Sequence, residues 1–267
     1  MEHASAFAPS VLERWSRREN LLPGLALVAL AGAGWAYIAY QAASMGSMRS
    51  AVGGMAMMGG IGGAVAFLSG WTAMMVAMMV PATLPLILLY RTIARNRLSP
   101  QRARVGMVSL LAGYVALWAA TGLPVYAYTL FAERVGSLAN VLPALLLVVG
   151  GAYQFTSLKR ICHVRCSSPL FFLLQNWSSG EAGALRLGMI HGVECLGCCV
   201  GLMAGLVALG MMNLAWMLTA AVIIFAEKTI PNSHRIARPL GVVMVVGGVV
   251  LVGMSLLGAM VPGMESM

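Results

Sequence analysis

Charge is scarce in this sequence. Charged side chains make up 9% of its 267 residues, whereas a soluble domain carries roughly 25%. So few polar groups cannot cover a water-facing surface, and an ordinary soluble domain is excluded. A hydrophobic content of 60% and a mean hydropathy of +0.86 belong to a membrane protein.

Other absences narrow the function. No phosphate-binding glycine loop and no soluble catalytic domain is present, so any transport would be passive or ion-coupled. The net charge of +9 comes from basic residues scattered between apolar runs, not gathered on one face, which argues against nucleic acid. Histidine is rare, and His191 alone lies inside an apolar run, which disfavours haem. No convincing internal repeat supports an inverted-repeat transporter fold.

What the sequence does have is a series of long apolar runs. A span needs about 20 apolar residues. The runs at 21–40, 64–90, 105–131, 138–158, 187–211, 213–229 and 240–261 predict seven transmembrane helices. The expected organisation is therefore an all-α polytopic bundle over residues 21–262, preceded by a polar cytoplasmic segment, 1–20. The first run is too long for a signal-peptide core and has no clear cleavage site, so it is read as a retained span. Basic residues cluster at Arg14–Arg18, Arg91–Arg104, Lys159–Arg186 and Lys228–Arg238, leaving only Arg49 and Arg134 on the other side. The positive-inside rule then places the N-terminus in the cytoplasm and the C-terminus outside, in a bacterial inner membrane.

The sulfur content is the second abundance: 21 Met and five Cys. In the fifth run, His191, Glu194, Cys195, Cys198 and Cys199 fall within an arc of about 140° on a helix advancing about 100° per residue. An ionised Glu194 at that depth costs about 2.5–3.5 kcal/mol, which a specific partner must offset. Thiolates and an imidazole suit Cu(I) or Zn(II), and i,i+4 pairs such as His191/Cys195, Glu194/Cys198 and Cys195/Cys199 can clasp one ion. One helix cannot surround an ion, so other spans must supply ligands. Gly197, Gly201 and Gly205 form a stripe that would admit a closely packed neighbour. The competing reading is ordinary burial of small apolar thiols, with Glu194 paired to a cation.

Cys162, His163 and Cys166 follow the fourth run, beside Lys159, Arg160 and Arg165. In a reducing cytoplasm they favour thiol chemistry or metal binding over a disulfide. The neighbouring cations are expected to favour the thiolate. The alternative is a plain interfacial loop.

Met74, Met75, Met78 and Met79 follow Trp71 at the spacing that His191 to Cys199 show. Thioethers are soft Cu(I) ligands, but a Met stripe also packs cores. Pro81 and Pro85 argue against a regular helix below the stripe. The loop carrying Met45, Met48, Met55, Met57 and Met58 resembles the Met-rich segments by which extracytoplasmic proteins hold Cu(I), or is a flexible linker. Gln154 and Glu227 sit near the same leaflet as the cysteines. Glu227 either reaches the headgroups or serves the site as a proton-accepting carboxylate.

Trp71-x-x-Met74 with Ala77-Met78-Met79-x-Pro81, Gly150-Gly151-x-Tyr153-Gln154, Leu158-Lys159-x-x-Cys162-x-x-x-Cys166-x-x-Pro169, Cys195-x-x-Cys198-Cys199 and Glu227-Lys228 form a combined pattern over residues 65–230. The pattern is similar to a family of bacterial integral membrane proteins described as predicted metal-binding, domain of unknown function 2182. The resemblance implies a polytopic helical protein with a metal site, and it implies no activity.

The expected function is binding of a soft metal ion, Cu(I) before Zn(II), by Cys195, Cys198, Cys199 and His191 with Cys162 and Cys166. Glu194 and Glu227 would balance charge, and the Met stripe would act as a relay for transport or delivery, with an unidentified membrane or metallochaperone partner. The alternatives are a membrane thiol oxidoreductase using Cys195/Cys198 with Cys162/Cys166, and a non-catalytic helper subunit of a membrane complex.

Overall fold

The computed structural model describes residues 18–44, 60–135, 141–178, 180–210, 213–230 and 234–260. Among these residues the fold is all-α. The helices in chain order are α1 (Arg18–Ser44), α2 (Gly60–Arg97), α3 (Pro100–Arg134), α4 (Leu142–Tyr153), α5 (Ser157–Cys166), α6 (Pro169–Asn176), α7 (Gly180–Leu209), α8 (Leu214–Thr229) and α9 (His234–Met260). Most of the N-terminal segment and the Met-rich loop with Met45, Met48, Met55, Met57 and Met58 lie outside the described residues.

Five helices are long and apolar enough to cross a membrane, over Asn20–Ala42, Gly60–Arg97, Pro100–Ala132, Gly180–Leu209 and Ala237–Ser255. The surface of α9 shows why apolar periodicity is weak here: Val242, Val243, Val246, Val249 and Val250 are all exposed. Such a surface is stable against lipid and not against water.

Local chemistry sets the helix ends. Ser99 caps α3 through the backbone N–H of Arg102, with Pro100 at the first position. Asn213 caps α8 by accepting from the N–H groups of Ala215 and Trp216. Gly210, at φ +106°, follows the last residue of α7 in the left-handed region that terminates helices.

Two expectations change. The apolar run at 138–158 does not form one continuous helix. Helix α4 stops at Tyr153, and Gln154, Phe155 and Thr156 close a tight turn through i→i+3 bonds to Gly151, Ala152 and Tyr153. Thr156 is extended and its hydroxyl caps α5 by accepting from the Lys159 N–H at 3.3 Å, so the polar cap overrides apolar continuity. Conversely, Pro81 and Pro85 do not break α2, which runs unbroken from Gly60 to Arg97. Packing against α1 and α3 on either side holds it through the missing hydrogen bonds.

Helix α7 is the hub, packed on α3, α4, α5 and α8. The glycine stripe explains how. A Cβ at Gly201 would stand 2.6 Å from the Gly150 carbonyl of α4, and one at Gly150 would meet the Gly201 carbonyl equally closely. Only glycine on both helices permits that backbone approach. Gly205 receives the Met244 side chain of α9, and Gly197 receives Cys162 of α5. Trp71 of α2 ties the other flank by donating its indole N–H to the Trp118 carbonyl and Thr121 hydroxyl of α3, each at 3.1 Å.

Candidate metal centre

The candidate sulfur ligands come from two helices, α5 and α7, that pack together after the α4–α5 turn. Cys195 and Cys198 stand on the buried face of α7, and Cys166 is the last residue of α5. The sulfur atoms of Cys166, Cys195 and Cys198 all lie within 4.8 Å of one another, and all three residues are buried. Three thiolates arranged around a soft ion at about 2.3 Å stand about 4 Å apart, so this spacing fits the donor set to one metal with little movement.

Cys195 is the centre of the arrangement. It is 0% exposed. Its sulfur lies 2.9 Å from the Lys228 Nζ of α8 and 3.1 Å from the Tyr114 hydroxyl of α3. An ammonium that donates to this sulfur, beside a hydroxyl that can donate or accept, suits a sulfur that becomes a thiolate when it takes a metal. Cys198 and Cys199 each donate their S–H to the Cys195 carbonyl at 3.0 Å. Both thiols are therefore parked on the backbone and can rotate toward an ion.

The other expected ligands take different positions. His191 is 2% exposed, one turn before Cys195, between the rings of Phe172 and Tyr114 at 5.0 and 5.8 Å. Its Nδ1 has no hydrogen-bond partner. Glu194 is half-buried, with a buried Oε2 that is also unpartnered. Cys162 is half-buried, against Gly197 and not among the three clustered thiols. Tyr153 donates to the Gly197 carbonyl at 2.6 Å and holds this seam closed.

The cations of α5 do not act on its thiols as expected. Burial, then Glu194, pushes the Cys162 thiol up, against a smaller downward pull from Arg165. Hydrogen bonds to the Cys195 and Cys198 sulfurs, then burial, hold the Cys166 thiol well above its usual value. His163 is half-buried and is pulled below the usual histidine value by burial, then by Lys159 and Lys228.

Glu227 does not reach toward headgroups. It is buried and receives Lys159 Nζ on both carboxylate oxygens, at 3.0 and 3.1 Å. Lys159 also donates to Oε1 of Gln154, whose buried Nε2 has no partner. Met74, Met75, Met78 and Met79 are all buried in the same apolar cluster as Cys166, Cys195, Cys198 and Cys199.

This geometry agrees with sequence comparison. The model of a family described as copper chaperone, PpoB2, matches residues 68–251, more than half of the chain. The chain belongs to the copper chaperone family. The matched region contains every candidate ligand and the Met stripe of α2, whereas the Met-rich loop before residue 59 falls outside it. The family description names copper, where the motif resemblance implied only a metal. No curated protein and no solved structure matches the chain.

For a member of the copper chaperone family the donor set is coherent, since three buried sulfurs are soft donors. Lys228 and Tyr114 had escaped the sequence reading. Lys228 stood in plain view beside Glu227 in the motif. Tyr114 gave no signal, since a tyrosine in an apolar run is ordinary.

Proposed function

We propose that this protein is a seven-span inner-membrane copper chaperone that holds Cu(I) on Cys166, Cys195 and Cys198. Helices α4 and α8 serve as its two short spans, and the N-terminus faces the cytoplasm. The observation that carries the reading is the buried trio of thiols, with Lys228 and Tyr114 both directed at the Cys195 sulfur. Copper with three thiolates carries net negative charge, and the Lys228 ammonium offsets part of it inside a medium where uncompensated charge is costly.

Cys199 and His191 stand ready as further ligands, one with a thiol that can rotate from the Cys195 carbonyl and one with an unpartnered nitrogen. Binding releases thiol protons, and the unpartnered Oε2 of Glu194 is the acceptor. Met75, Met78 and Met79 share the thiol cluster's core and provide weaker soft donors on the way to it. Copper passes from these thioethers to the thiolates, a gradient from weak to strong ligands that suits delivery and needs no nucleotide.

The test is the metal content of protein purified under reducing conditions and supplied with Cu(I), compared with a Cys195→Ser/Cys198→Ser variant. About one Cu(I) per chain in the parent and almost none in the variant is expected. Equal, near-zero copper in both overturns the proposal. Reporter fusions at each terminus check the orientation.

A further inference from the structure

A cavity of about 570 Å³ lies where the α4–α5 turn meets the end of α8 and the start of α9. Its lining includes Gln154, Lys159, Arg160, His163, Lys228 and Arg238. Among the described residues that line it, none is acidic. Glu227, the residue before Lys228, is already engaged by Lys159, and among the described residues no salt bridge ties Arg160 or Arg238 to an acid. Gln154, 5% exposed, has an Nε2 donor with nothing to donate to. A cavity with this wall is built for an anion that also accepts hydrogen bonds.

Lys228 gives the cavity its purpose. Lys228 is one of the lining residues, and its ammonium stands 2.9 Å from the Cys195 sulfur. An anion bound there is separated from the thiol cluster by one side chain. A volume of this size accommodates a small peptide-like molecule and is far larger than an inorganic anion needs.

We propose that the cavity receives a carboxylate-bearing thiol of about tripeptide size and that copper is exchanged between this carrier and Cys195 through it. The inference rests on the copper-binding reading above and names the form in which the metal is exchanged. Arg160 and Arg238 bind the carboxylates, Gln154 donates to a carbonyl or carboxylate, and Lys228 guides the carrier's copper-bound sulfur toward Cys195. The step is ligand exchange at constant oxidation state. The Cu(I)–Cys195 sulfur bond forms as the Cu(I)–carrier sulfur bond breaks, and the carrier leaves as a thiolate. Each further protein thiol that joins the metal gives up its proton through Glu194 to a departing carrier thiolate. Delivery to the carrier is the same exchange reversed.

The experiment loads apo-protein in zwitterionic nanodiscs from two donors, Cu(I)–glutathione and Cu(I) in acetonitrile. The parent is compared with Arg160→Gln/Arg238→Gln, whose changed side chains are exposed. Transfer from the glutathione complex is expected to slow about tenfold in the variant and to lose its dependence on ionic strength, with loading from acetonitrile unchanged. Equal transfer from both donors in both proteins overturns the inference and leaves copper binding intact. Failure to load from either donor overturns the copper-binding reading itself. Retention of phosphatidylglycerol by the parent but not the variant, with no donor preference, assigns the cavity to a lipid phosphate and also overturns the inference.

Discussion

The Lys228 ammonium of α8 lies 2.9 Å from the Cys195 sulfur of α7, which belongs to an apolar cluster of thiols, thioethers, aromatic rings and aliphatic side chains. A lysine with a sulfur partner in such surroundings is placed to offset the negative charge of a thiolate that binds metal. Lys228→Met is therefore expected to weaken Cu(I) binding about tenfold or more, measured by competition with a chromophoric Cu(I) chelator. Lys228→Arg should fall between the two. Unchanged affinity in Lys228→Met would remove the lysine from the site.

Tyr114 shares the same sulfur, at 3.1 Å. Tyr114→Phe removes one neutral hydrogen bond, worth about 1 kcal/mol, and should lower copper affinity by less than Lys228→Met. Because both donors act on one atom, the double variant should deviate from the sum of the single effects. Strict additivity would mean that they act independently of Cys195.

Cys166 and Cys162 are separated by one helical turn and by their fates. Cys166 is buried with the Cys195 and Cys198 sulfurs, whereas Cys162 packs against Gly197. Copper stoichiometry should drop in Cys166→Ser as it does in Cys198→Ser, and should hold in Cys162→Ser. The reverse order would place the metal one turn earlier along α5.

The Lys159–Glu227 pair is buried on both sides. Glu227→Gln leaves a buried ammonium without an opposite charge and is expected to cost about 3–5 kcal/mol of stability. Lys159→Met/Glu227→Leu removes both charges and should recover most of that loss in thermal unfolding. A double variant no more stable than Glu227→Gln would mean that the pair itself supplies the stabilisation.

Two glycines of α7 should respond differently to alanine. At Gly201 a new Cβ meets the Gly150 carbonyl of α4 at 2.6 Å, and at Gly205 it meets the end of the Met244 side chain at 2.8 Å. A methionine tip moves easily and a backbone does not. Gly201→Ala is expected to destabilise by about 1–3 kcal/mol and Gly205→Ala by clearly less, read as unfolding midpoints in one detergent.

Composition and periodicity alone determined that the chain is helical and apolar enough for a membrane. They also put His191, Glu194, Cys195, Cys198 and Cys199 on one arc, because helical angle depends only on spacing within a segment. They could not choose between Cys162 and Cys166. That choice follows from where Thr156 starts α5 and so which of its turns meets Cys195 and Cys198. Nor could they find the partners of Cys195, since Tyr114 and Lys228 stand 81 and 33 residues away in the chain. Which helices touch is decided by packing, above all where Gly150 and Gly201 let α4 and α7 meet backbone to backbone. The sequence by itself determined the soft donors and their helical face; the tertiary structure decided which three sulfurs meet, and placed a lysine and a tyrosine on the central one.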